Sequence, residues 1–164
     1  MITVIDYKSE HQPWFEKLNR EWIEKFFRME EVDVQVLTKP EEFILSDGGI
    51  ILMAYWNDEI AGTVALRKMK NGDYELTKMG VDAKFRGKGI GEALIKGLVD
   101  RAREMGLKRV ILYSNTVLEN AIRLYRRLGF QEIPLEKGNY ERSNIKMKIE
   151  IEPATVVYNQ MKST

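Results

Sequence analysis

Six consecutive residues, Arg86-Gly87-Lys88-Gly89-Ile90-Gly91, combine cations and glycines in a pattern suited to binding an anion. Tyr74 to Val81 ahead of them reads as a strand. Leu94, Ile95, Leu98, Val99, Ala102 and Met105 behind them form an apolar stripe at helical spacing. The first turn of such a helix leaves backbone N–H groups unpaired, and its dipole end favours negative charge. Gly87, Gly89 and Gly91 admit a phosphate to the backbone with no Cβ in the way, and Arg86 and Lys88 add charge. The implied ligand group is a pyrophosphate. Two common phosphate loops do not fit. The dinucleotide fingerprint needs a glycine where Glu92 stands, or Leu94 in the next register, and no Gly-Lys-Ser/Thr ending is present.

Few other reactive groups are available. The chain has no cysteine, hence no disulfide, thiolate nucleophile or cysteine metal site. His11 is the single histidine, which removes serine–histidine triads and most zinc arrangements, so no metal site is expected. Chemistry falls to carboxylates, tyrosine, lysine and backbone groups. With 164 residues, one domain over residues 1–152 and a tail over 153–164 are expected. A net charge of +1 with 31% charged residues of both signs argues against nucleic acid as a partner. The apolar runs are too short to span a membrane and the N-terminus does not resemble a signal peptide. A cytoplasmic protein without membrane contact is the expectation.

The elements that must position the loop can be read in order. Ile2 to Asp6 is a short strand, and Ser9 with Gln12 offers a capping box to a helix carrying Trp14, Leu18, Trp22 and Phe26 at four-residue spacing. Glu30 and Glu31 end that helix in solvent. Pro40 opens a short helix over Glu41 to Leu45. A meander follows, Ile50 to Trp56, Ile60 to Leu66 and Tyr74 to Val81, with Asn71-Gly72 as a hairpin turn. A helix from Gly91 to Met105 stops at Gly106, and Arg109 to Tyr113 is the parallel strand beyond it. Thr116 and Glu119 box a second helix through Leu128, and Phe130 to Leu135 pairs with Ser143 to Ile151. The fold class is α/β, a mixed sheet with helices on both faces. In the tail, Val156-Val157-Tyr158 could pack on the body or on a second subunit, which leaves a homodimer open.

Arg86 to Gly91 matches Arg-x-x-Gly-x-Gly, and Ala121 to Phe130 resembles a second signature; together they resemble the GCN5-related N-acetyltransferases. The resemblance covers roughly Gly49 to Ile149. It implies a central splayed sheet with acetyl-CoA between the parted strands, held by Arg86, Gly87, Lys88, Gly89, Ile90 and Gly91. It implies a β-bulge in Met79, Gly80 and Val81 that frees a backbone N–H for the thioester carbonyl. Glu75 takes the general-base position, against the plainer reading of a surface or paired glutamate. Tyr125 takes that of general acid to the CoA thiolate and also contacts the cofactor. Its place beside Ala121 and Ile122 on one helical face equally suits a core tyrosine. Where the family carries asparagine seven residues before that tyrosine, this chain has Leu118; Asn115 is the preferred substitute and Asn120 the other.

The acceptor wall in this family follows the first strand, where this chain has Trp14, Phe15, Trp22, Phe26 and Phe27 with Glu30, Glu31 and Asp33 behind. Trp22, Phe26 and Glu75 are the candidate acceptor-binding residues. Aromatic rings beside carboxylates suit a small cationic amine. The expected activity is direct acetyl transfer to a small-molecule amine or amino acid. The alternatives are a protein lysine or N-terminal acetyltransferase and a CoA-binding sensor without turnover.

Overall fold

The computed structural model describes residues 1–136 and 142–153. The tail segment Val156 to Tyr158, and with it any packing on a second subunit, lies outside them. Seven strands form one sheet: β1 (Ile2–Asp6), β2 (Ile50–Trp56), β3 (Glu59–Lys68), β4 (Tyr74–Val81), β5 (Arg109–Ser114), β6 (Gln131–Ile133) and β7 (Ile145–Glu150). Their spatial order is β1-β2-β3-β4-β5-β7-β6. All neighbours are antiparallel except β4 and β5, which the helix between them forces parallel. The expected closing pair is present, with β7 inserted between β5 and β6.

The continuous apolar run of β2 serves both faces of the sheet. Leu52 and Ala54 pack with Val64, Leu66 and Leu76 under α3 (Ile90–Glu104) and α4 (Glu119–Arg127). Ile51 and Met53 pack with Phe15, Ile23, Val36 and Leu37 under α1 (Gln12–Phe26) and α2 (Glu31–Thr38). Period-two alternation thus gives the central strands β2 and β3 two buried sides, as a sheet covered by helices on both faces requires.

Some local expectations are corrected. Ser9 and Gln12 form no capping box; Ser9–His11 is a 3₁₀ turn in which His11 Nδ1 accepts from the Lys8 N–H at 2.9 Å. Thr116 does not cap α4 either. Its N–H and hydroxyl both bond Asn144, at 2.9 and 3.0 Å, which ties the approach of α4 to that of β7. Glu30 and Glu31 do not end a helix in solvent. They open α2, where the Asp33 carboxylate accepts the Glu30 N–H at 3.0 Å. Glu41–Leu45 is a π-helical turn. Among the described residues no helix is long and apolar enough to cross a membrane.

Candidate active site

The parallel pairing of β4 with β5 stops early. Glu75 faces Ile111 and Leu76 faces Leu112, and past them the strands part. On its other edge β4 is bulged against β3. Thr77 pairs with Ala65 and Gly80 with Thr63, so Lys78 and Met79 have no partner in either neighbouring strand. Lys78 adopts φ 52°, a left-handed conformation that bulky side chains rarely take. The bulge therefore leaves the backbone of Lys78 and Met79 outside both ladders, at the cavity that both residues line. Gly80 follows, where an added Cβ would lie 2.7 Å from the Leu18 carbonyl oxygen, so its small size lets α1 sit directly on β4.

A cavity of about 1190 Å³ occupies this gap. One end is the loop before α3. Gly87 and Gly89 hold φ 78° and 85°, and a Cβ on Gly87 would meet open space. The first helical bond runs from the Ala93 N–H to the Gly89 carbonyl at 3.1 Å, which leaves the amides of Ile90, Gly91 and Glu92 for an incoming anion. The side chain of Ile90 is core; only its backbone is available to a ligand. Arg86 stands on the cavity wall, but Lys88 does not: its ammonium lies 4.7 Å above the Trp56 ring. A cation over an indole is held on the far side of the loop. These donors, cation and open glycine positions fit the pyrophosphate of acetyl-CoA.

Tyr125 lines the cavity from α4 and is 6% exposed, its ring 5.7 Å from that of Phe130. Burial pushes its phenol well above its usual pKa, so the proton stays on the oxygen at neutral pH. Asn115 is on the wall too, yet both ends of its amide are engaged. Nδ2 donates to the Arg142 carbonyl at 2.8 Å and Oδ1 accepts from the Val117 N–H at 2.9 Å. Its side chain thus shapes the turn after β5 and has little left for a ligand. Asn120 instead accepts from Arg123. Leu118 is on the wall.

Glu75 is 7% exposed and pairs with Arg67 across the sheet, on the same face as Ala65 and the α1 side. It does not form part of the cavity wall; Thr77, two residues on, does. Burial raises its carboxyl pKa, with Lys78 and Arg67 pulling it back down. Tyr125 lies on the other face, in the α3–α4 cluster.

From α1, Trp22, Phe26 and Phe27 reach the cavity, while Phe15 and Ile23 are core. Trp14 is exposed and stands under the Lys17 ammonium. Two of the three carboxylates expected beside the aromatics, Asp33 and Glu30, prove to be paired with cations. Asp33, 2% exposed, accepts from Lys78 Nζ at 2.9 Å and from Arg142, and Glu30 accepts from Arg142 at 3.0 Å. Lys78 and Arg142 line the cavity; Asp33 and Glu30 stand behind them. Neither cation was foreseeable from local pattern. Lys78 owes its place to the bulge, and Arg142 meets Asp33 across 109 residues.

Residues 10–130 match the model of the Acetyltransferase (GNAT) family. Among curated proteins, the chain is 37% identical over 92 residues to the uncharacterized N-acetyltransferase YjgM of Escherichia coli K12, covering 52% of this chain and 55% of that protein. It is also 37% identical over 83 residues to N-alpha-acetyltransferase RimI of Mycobacterium tuberculosis, covering 51% of each. The chain spans about half the length of these relatives. A solved GNAT-family acetyltransferase from Staphylococcus aureus Mu50 superposes with a TM-score of 0.81 at 22% identity, over 93% of this chain and 100% of that one.

Proposed function

Because the chain belongs to the Acetyltransferase (GNAT) family, we propose that it transfers the acetyl group of acetyl-CoA directly to the primary amine of a small molecule. The observation that carries this reading is the single cavity running from the Arg86–Gly91 loop, through the β4–β5 gap, to the aromatic residues of α1. It offers an anion site at one end and room for a second molecule at the other. When bound, the thioester supplies the acyl carbon: the amine nitrogen bonds to it, the carbon–sulfur bond breaks, and sulfur leaves with the electron pair.

The chain's own groups serve that exchange. Arg86 and the free amides at the start of α3 hold the pyrophosphate. The bulge amide of Met79 donates to the carbonyl oxygen as it gains negative charge. The Tyr125 phenol, kept protonated by burial, gives its proton to the departing sulfur. Glu75 accepts the proton released by the amine through water, since its carboxyl is set back from the cavity wall. With no cysteine to hold the acetyl group, transfer is direct, with both substrates bound.

A second reading is a protein N-terminal acetyltransferase, favoured by the likeness to the N-alpha-acetyltransferase RimI. Thiol release from acetyl-CoA, measured with small amines, amino acids and peptides at matched concentrations, tests both. Faster turnover of peptides would replace the small-molecule reading. Acetyl-CoA binding without thiol release, whatever amine is supplied, would leave a CoA-binding sensor.

A further inference from the structure

The end of the cavity remote from the phosphate loop is walled by hydrogen-bond donors. Lys78 spends one N–H on Asp33 Oδ1. Arg142 uses Nη2 on both Glu30 Oε2 and Asp33 Oδ2; among the described residues its Nη1 and Nε have no acceptor. Its guanidinium carbon lies 5.8 Å from the centre of the Phe27 ring, which fixes the plane. The side chains of Lys78 and Arg142 are only 14% and 18% exposed, so their charges are poorly screened. Lysine and arginine side chains contain no acceptor atom. Lys25 and Glu21, one turn apart on α1, face the same space and offset each other.

We propose that the acceptor amine carries a carboxylate, received by Arg142 and Lys78, so that the substrate is a free amino acid or another amino-carboxylate. This rests on the acetyl transfer proposed above. Asp33 and Glu30 sit behind the cations and aim them, leaving their remaining donors toward the cavity. A plain cationic amine gains nothing from such a wall. A peptide N-terminus has no α-carboxylate beside its amine. The four charges sum to zero, which suits one added negative charge better than the two of a phosphate monoester. Trp22 and Phe27 supply apolar sides for the carbon skeleton.

The test compares kcat/KM, by thiol release, for amino acids, their carboxamides and their decarboxylated amines. Charge-assisted hydrogen bonds predict that the acids lead both analogues by about 10- to 100-fold. In Arg142→Met that ratio falls toward one, and Arg142→Lys retains part of it. If Arg142→Met does not fold, the wild-type comparison still decides. Transfer to amines with equal or lower rates for the acids would overturn this inference and leave the transfer reading standing. Absence of transfer to any amine would overturn that reading and this one together.

Discussion

Lys78 Nζ donates to Asp33 Oδ1 across 2.9 Å and thereby ties the bulge of β4 to the first turn of α2. Asp33 is almost wholly enclosed. Burial pushes its carboxyl pKa up, but Lys78, the Glu30 amide and Arg142 outweigh burial and hold it low. Removing the charge in Asp33→Asn leaves Lys78 without its counter-ion and Arg142 with Glu30 alone. The expected loss is about 3–5 kcal/mol in urea denaturation, as for a buried pair with one partner removed. A depressed pKa contributes stability above the unfolded value of 3.8, lost as pH falls through the folded value. Wild type should therefore lose its advantage over Asp33→Asn on acidification below about pH 4. An advantage that is constant down to acid pH would show that Asp33 is not held as a carboxylate.

Gly80→Ala probes the contact between β4 and α1. The new Cβ has the Leu18 carbonyl oxygen at 2.7 Å, a backbone atom that cannot swing aside. Helix α1 must move off the sheet, at a cost of about 1–3 kcal/mol. Because Trp22 and Phe27 move with it, KM for the acceptor should rise by more than Kd for acetyl-CoA, whose pyrophosphate is held at the other end. Calorimetry for the cofactor and steady-state kinetics for the acceptor separate the two.

For the phosphate loop, Gly89→Glu and Gly89→Asn form a matched pair. Both place a Cβ at φ 85°, where a non-glycine residue costs about 1–2 kcal/mol, less for asparagine. Only glutamate adds negative charge beside the helix N-terminus. Acetyl-CoA binding measured by calorimetry should be lost with glutamate and weakened only modestly with asparagine. Equal affinities in the two variants would place the pyrophosphate elsewhere.

The strand, loop and helix of Tyr74 to Glu104 were legible in the sequence because each signal there is local: a strand entered from an Asn-Gly turn, a cationic glycine-rich loop and a helical stripe. Helix α2 was not. Val32, Val34 and Val36 alternate with polar residues, a strand-like pattern, and the acids that open the helix read as the end of the one before. Buried contacts from Asp33 to Lys78 and Arg142 favour a helix that propensity alone would not. The acceptor wall was misread for the same reason. Its carboxylates are near in sequence to the aromatics, whereas the cations that neutralise them arrive from β4 and the segment before β7. Lys88 illustrates the limit on the other side: its place in the loop was evident, but Trp56, which draws it away, comes from β2.

Tyr125→Phe removes only a hydroxyl that is not a sealed, unsatisfied core atom and belongs to a cavity-lining residue, so stability should change little. Loss of a positioned acid costs roughly 10²–10⁴ in rate, less where water substitutes. Single-turnover kinetics at saturating substrates isolate the chemical step. An unchanged rate there would make Tyr125 a packing residue of the α4 core and nothing more.

Glu75 carries two linked expectations. Its burial raises the carboxyl pKa above the ordinary 4.5, while Lys78 and Arg67 limit the rise. As the base, it must be ionised, so the rising limb of kcat against pH should lie above the usual carboxylate range and vanish in Glu75→Gln. Stability should move the opposite way. A carboxyl with a raised folded pKa contributes stability that is full below 4.5 and is lost as pH climbs through the folded value. Glutamine does not titrate, so Glu75→Gln should gain on wild type in thermal melts as pH rises across that interval. Lower activity together with higher relative stability at neutral pH is what a functional buried carboxylate produces and a merely structural one does not. A rising limb that persists unaltered in Glu75→Gln would remove the base role, whatever the melts show.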